Sequence, residues 1–201
     1  HASGIPLPLR RRLAVARSSY ATGGRACERA ADLSEDADLA AERLHQAAQA
    51  MLAAGRLDDA RDLVDRALTL TTRPDLRIDL RHTLSVGLSV AGRAPEALAA
   101  FRATAAEVRT NDPLRAASLL TDAVLSALQL GRVTDAQGIA AEAAELARGA
   151  DGWVGKQVRL AQTITDTLAG GDEPRMSAAE MTAMLVDVNV ASLTTMSLVV
   201  G

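Results

Sequence analysis

Three sets of residues in this 201-residue chain are of types that could do chemistry. His45 and His82 each lie ten residues before a glycine, Gly55 and Gly92. An imidazole titrates near neutral pH and is the commonest metal ligand. A zinc site, however, needs further Cys, His or carboxylate ligands converging on one point. Neighbouring helices stand about 10 Å apart, so two histidines at equivalent positions stack along one face without closing a metal site. They read as solvent-exposed or partner-facing side chains, and no metal is expected. Asp58, Asp59, Asp62 and Asp65, together with the stretch SEDAD, invite paired catalytic acids or a calcium loop. Their spacing beside Arg61 and Arg66 is instead what a helix start and i, i+3 ion pairing require. Lys156, the sole lysine, sits in WVGKQV without the Gly-rich turn and following Ser or Thr of a phosphate loop. No nucleophile elbow, His/Cys couple or zinc-binding helix motif occurs. The expectation is a protein without catalysis or cofactor of its own.

Composition sets the kind of scaffold that carries these groups. The chain is 48% hydrophobic but only 1% aromatic, with single copies of Trp153, Tyr20 and Phe101. Its apolar weight is Ala, Leu and Val. Ala and Leu favour helices, whereas strands prefer β-branched and aromatic residues. A net charge of −3 argues against a nucleic-acid surface, which needs clustered positive charge. Cys27 is alone, which suits a reducing cytoplasm and reads as a small buried hydrophobe. The run RRRLAVA is too short for a signal peptide. The apolar stretch MLVDVNVASLTTMSLVVG is interrupted by Asp187 and Asn189, so a helix of a bundle core is expected there rather than a membrane span.

The elements that must position these residues repeat. AGRLDDARDL, AGRAPEALAA and LGRVTDAQGI share Gly-Arg, and Gly55, Gly92, Gly131 and Gly170 follow one another at intervals of 37, 39 and 39 residues. Five residues after the first three glycines stand Ala60, Ala97 and Ala136, and twelve after stand Ala67, Thr104 and Ala143. A period of this size marks a repeat array. Each unit reads as two helices joined at the glycine, which can take φ > 0 at a helix C-terminus, with the small alanine letting the second helix approach the first. For one unit the pattern predicts helices over 75–91 and 95–108 and a break at Thr110 to Pro113, with Pro95 in a first turn. In the preceding unit Leu44, Ala47, Ala48 and Met51 form an apolar stripe.

The expected architecture is an all-α, tetratricopeptide-like α-solenoid of about five antiparallel helix hairpins in a right-handed superhelix. Residues 1–7 are a lead; 8–201 form one helical-repeat domain with units 8–37, 38–74, 75–112, 113–151 and 152–188, then a partial unit 189–201. In the first unit Ser18 stands where the turn glycine belongs. Gly201 follows Gly170 after only 31 residues, which suggests a piece of a longer chain.

Successive first helices place polar residues in a column: Glu42, His45 and Gln49; Asp79, His82 and Val86; Ser118, Thr121 and Leu125; Gln157 and Leu160. Such a column is either the concave, partner-binding surface of the array or a solvated helix face.

Helix, Gly turn, Ala five residues on and Ala twelve on is similar to the tetratricopeptide repeat, with Ala97 and Phe101 in AGRAPEALAAF the nearest local match. The large aromatics of that repeat are absent, and the period exceeds its typical ~34 residues. GGRACERAADLSEDADLAAERLHQAAQAMLAAGRLDDARDLVDRALTL and NDPLRAASLLTDAVLSALQLGR resemble the helical-repeat region of the large ATP-dependent LuxR-type (MalT-like) bacterial transcription regulators. The resemblance runs from Arg10 to Gly201 in repeat texture. It implies an ATPase module before this region and a helix-turn-helix after it, neither of which the chain contains. It also implies a role in sensing a signal or holding a protein partner or small-molecule effector. The competing expectation is a structural module that self-associates through the apolar helix near Met184 to Val200. Neither reading involves direct nucleic-acid contact or a membrane.

Overall fold

The Gly-Arg pairs prove to be complete connections between helices. A computed structural model of the chain describes residues 7–170, with side chains from residue 15. These residues form eight helices and no strand: α1 (Leu7–Asp32), α2 (Ala37–Ala53), α3 (Leu57–Leu70), α4 (Pro74–Val90), α5 (Ala94–Val108), α6 (Pro113–Gln129), α7 (Val133–Leu146) and α8 (Trp153–Leu168). The second half of the 152–188 unit, the partial unit 189–201 and the helix expected near Met184 to Val200 lie outside the described residues, as does most of the 1–7 lead.

At each turn the glycine takes φ > 0: +78° at Gly55, +77° at Gly92, +71° at Gly131 and +88° at Gly170. That conformation aims two backbone N–H groups back at the helix just ended. Gly55 N donates to Leu52 O at 2.9 Å and Arg56 N to Met51 O at 2.8 Å. Gly92 with Arg93, and Gly131 with Arg132, repeat the pair. This is the Schellman closure, which satisfies carbonyls that a helix end would otherwise leave bare. The arginine then opens the next helix, since the carbonyls of Arg56, Arg93 and Arg132 accept from Ala60, Ala97 and Ala136 at 3.1, 3.0 and 2.9 Å. The guanidinium groups of Arg56 and Arg93 also fold onto Asp59 and Glu96, three residues on. Two residues thus end one helix and start another, and the alanine five places after the glycine is the first to bond back to that arginine.

Those alanines are buried, with Ala60 at 1% and Ala97 and Ala136 at 0% relative exposure, and α3 and α7, which carry the first and third, pack against α2 and α6. Ala67, Thr104 and Ala143 are buried one helical stretch later, and Leu44, Ala47, Ala48 and Met51 fill the opposing face. Pro95 stands in the first turn of α5, and α6 begins at Pro113 behind Asp112, whose side chain accepts from Arg115 N at 2.9 Å.

The described chain divides into two compact units, 7–87 and 88–170. In the first, α2 packs against α1 and α3, and the core joins Ala41, Leu44, Ala47, Leu63, Val64 and Ala67 to Leu76 and Leu80 of α4. In the second, α6 packs against α5, α7 and α8, and α7 against α8. Helices therefore meet their neighbours in the chain, and α6 meets the next first helix as well, as in an α-solenoid.

The 8–37 unit differs from expectation. It is one uninterrupted helix, not a hairpin. Ser18 carries no φ > 0, and the hydroxyls of Ser19 and Thr22 bond back to Val15 O and Ser18 O within the helix at 3.2 and 3.0 Å. Without a glycine there is no closure, so the helix continues. Gly24 matters for another reason: a Cβ there would lie 3.1 Å from Met51 Cε and 3.2 Å from Ala47 O, so its absence sets how near α1 comes to α2.

These features fix the outcome of three substitutions, read as urea midpoints. Gly92→Ala forces φ > 0 on an L-residue and costs about 1–2 kcal/mol. Ala97→Leu forces a larger side chain into a fully buried position and costs about 1–3 kcal/mol. Gly155→Ala costs more than an exposed helical Gly→Ala exchange, which is normally favourable, because the new Cβ would stand 1.8 Å from Ala150 O; an unchanged midpoint for it would contradict this packing.

Candidate functional site

The column divides according to where its residues sit. On α2 and α4, Glu42, His45, Gln49, Asp79 and His82 are all half-buried, so none is the fully solvated group that the sequence suggested for the histidines. Glu42 pairs with Arg73, which also reaches Asp75 at 2.9 Å. These bonds hold the Asp75 carboxyl below the usual carboxylate range, the hydrogen bond from Arg73 being the main cause. Asp38, one turn before Glu42, accepts from Thr71 Oγ1 at 2.5 Å, and Arg77 bonds the carbonyls of Leu68 and Thr71 at 2.7 and 3.0 Å. The link between α3 and α4 is thereby fastened to α2.

His45 is the most constrained member. Its Nε2 lies 2.8 Å from Thr83 Oγ1 on α4 and 3.2 Å from Gln49 Nε2 one turn along α2. An amide NH₂ can only donate, so Nε2 is the acceptor here and the ring proton belongs on Nδ1. Burial and, secondarily, the charge of His82 lower its pKa from 6.5 to about 4. His82, at the equivalent position of the next repeat, is near enough for its charge to act on His45. Among the described residues, no group of three or more His, Cys, Asp or Glu could hold a metal ion.

His45 and Thr83 are 38 residues apart in sequence, about one repeat. Other polar contacts recur at similar separation. Arg66 on α3 grips Glu28 and Asp32 of α1 at 2.6 and 2.7 Å, Ser126 Oγ meets Ser89 Oγ at 3.3 Å, and Arg109 pairs with Glu142. The surface pairs contribute little individually, but they tie successive repeats together at separations of 33 to 38 residues. Sequence reading missed this use of the arginines, although a search for opposite charges one period apart would have found Glu28 and Arg66.

On α6 and α8 the column is of another kind. Ser118, Thr121 and Gln157 are half-buried, and Thr121 Oγ1 bonds to Ala117 O within its own helix at 2.9 Å. Extended in both directions at helical spacing, the stripe reads Leu114, Ser118, Thr121, Leu125 and Gln129 on α6, and Trp153, Gln157, Leu160, Ile164 and Leu168 on α8. None of these ten positions is charged. Leu125 and Leu168 are each 57% exposed and Trp153 is 40% exposed, while α5 and α7 carry no exposed large apolar side chain. Solvated polar residues or alanine occupy the outer faces of those second helices. Leu39, Leu114 and Trp153, which precede their glycines at similar distances, are exposed, whereas their counterpart Leu76 is buried.

No described helix is long and apolar enough to cross a membrane. No family model matches this sequence, and no curated protein is significantly similar to it.

The His45 geometry carries a pH dependence of stability. The folded value, about 4, lies below the value of 6.5 for a free histidine, so the unfolded chain takes up the proton first. The contribution is complete above pH ~6.5 and is lost as pH falls towards 4, to a limit of about 3 kcal/mol. Urea midpoints measured from pH 7.5 to 4 should fall less steeply below pH 6.5 for His45→Gln than for the parent. Parallel curves would show that His45 is as solvated as a free imidazole.

Proposed function

We propose that this chain is a non-catalytic interaction region that binds a protein segment or small-molecule effector on the outward face of its first helices. In the fuller form suggested by its repeat texture, it is the cytoplasmic signal-sensing middle of a LuxR-type transcription regulator. Occupation of the face would favour one packing of the array, and that preference would bias an ATPase and a DNA-binding part elsewhere in the protein. One observation supports the reading above others: in the second unit, large exposed apolar side chains stand on first helices and are missing from α5 and α7. A face kept only for solubility has no need of Trp153, Leu125 and Leu168 in water, and clustered exposed apolar groups mark contact surfaces.

A scaffold role is the second reading, and it is favoured for the first unit. There Glu42, His45 and Gln49 are already engaged with Arg73, Thr83 and one another, so they serve the internal spine of the array.

A photo-crosslinking residue placed at Leu125 on α6, or at Ala141 on the exposed side of α7, separates the two roles in cells that express the parent protein. The interaction reading expects discrete adducts from the Leu125 position and none from Ala141. Equal yields from both, or none from either, would leave only the scaffold.

A further inference from the structure

We propose that the paired stripes of α6 and α8 are a groove for an amphipathic helix of another protein, one whose apolar side is bordered by carboxylates. This rests on the interaction reading above and names the partner's chemistry. α6 and α8 pack side by side, so Leu125 of one and Leu160, Ile164 and Leu168 of the other line adjoining ridges, into which the side chains of a third helix can pack. The α8 stripe from Trp153 to Leu168 is about 22 Å long, which corresponds to four turns of partner helix.

Charge selects among amphipathic helices. Lys156 lies beside the stripe, one residue before Gln157; it is exposed and makes no ion pair among the described residues. The first turn of α8 contains no carboxylate to neutralise it. The acids nearest the groove on these two helices, Asp122 and Asp166, are half-buried and already engaged. A partner with Glu or Asp flanking its leucines meets an unpaired cation at the rim; one flanked by Lys meets repulsion.

Trp153 is the chain's only tryptophan, so its fluorescence reports on this groove alone. The 201-residue chain is titrated with two synthetic helix-forming peptides of about 18 residues. Both have leucine at i, i+3, i+4 and i+7; one has glutamate at the flanks and the other lysine. The Glu-flanked peptide should shift Trp153 emission to the blue and bind about tenfold or more tightly than the Lys-flanked peptide. Leu125→Ser with Ile164→Ser should weaken it about tenfold, and Lys156→Glu should reverse the preference between peptides.

Equal affinity for the two peptides, with loss in the double serine variant, would overturn the partner's chemistry and leave the face. No response to either peptide would remove the groove as a helix site. A blue shift with protein concentration alone would assign the face to a second copy. A fall in the thermal midpoint of the double serine variant without peptide would assign it to this chain's own remaining segment. Either outcome replaces the proposed partner.

Discussion

Everything in this structure depends on how a helix is ended. Four carbonyls at a helix C-terminus have no partner within the helix, and a second helix lying directly against the first excludes the water that could serve them. The glycine at φ near +75° and the arginine after it supply two N–H donors at each junction, and the arginine carbonyl at once accepts from the new helix. The connection is so short that the incoming helix has no room for a side chain larger than methyl at its first close approach. The alanines at 60, 97 and 136 follow from the glycines at 55, 92 and 131 for that reason.

The same link explains the contrast between helix faces. The second helices α3 and α7 lie tight against their first helices, α2 and α6, behind the Gly-Arg turn, whereas the passage to the next repeat runs through polar stretches such as 71–73 and 109–112. Those stretches are held by side chains, as Thr71, Arg73 and Arg77 show. Beside the apolar core, polar contacts between successive repeats therefore recur at about one repeat length: His45 with Thr83, Arg66 with Glu28, and Ser126 with Ser89. In the first unit such stitches occupy the outward residues of α2. In the second, a hydrogen bond from Ser89 reaches the end of the α6 stripe at Gln129, at 3.5 Å, while the stripes of α6 and α8 carry no charge and leave Leu125, Ile164 and Leu168 exposed. One repeat thus serves cohesion in one place and presents a surface in another.

The helices, turn glycines and buried alanines were legible because each answers to a local rule: φ > 0 requires glycine, a first turn tolerates proline, and a stripe of apolar residues needs a partner. The continuity of α1 was less legible, since Ser18 falls where the register calls for a turn, and the register carries no information about whether a closure can form there. The candidate column was found as a set of equivalent positions, but its division into engaged and exposed members was not. A histidine and a threonine 38 residues apart look no different in sequence from any other such pair, and Leu114 and Trp153 share a register with Leu76, which is buried.

Period, helix boundaries, the sites of the turns and the all-helical class were determined by the sequence itself, because hydrogen-bond closure and side-chain size act over a few residues. Which polar groups are spent inside, which leucines face water and how far His45 is shielded from protons were decided only in the folded chain. Burial is a property of the distance to residues a whole repeat away, and that distance exists only once the helices have packed.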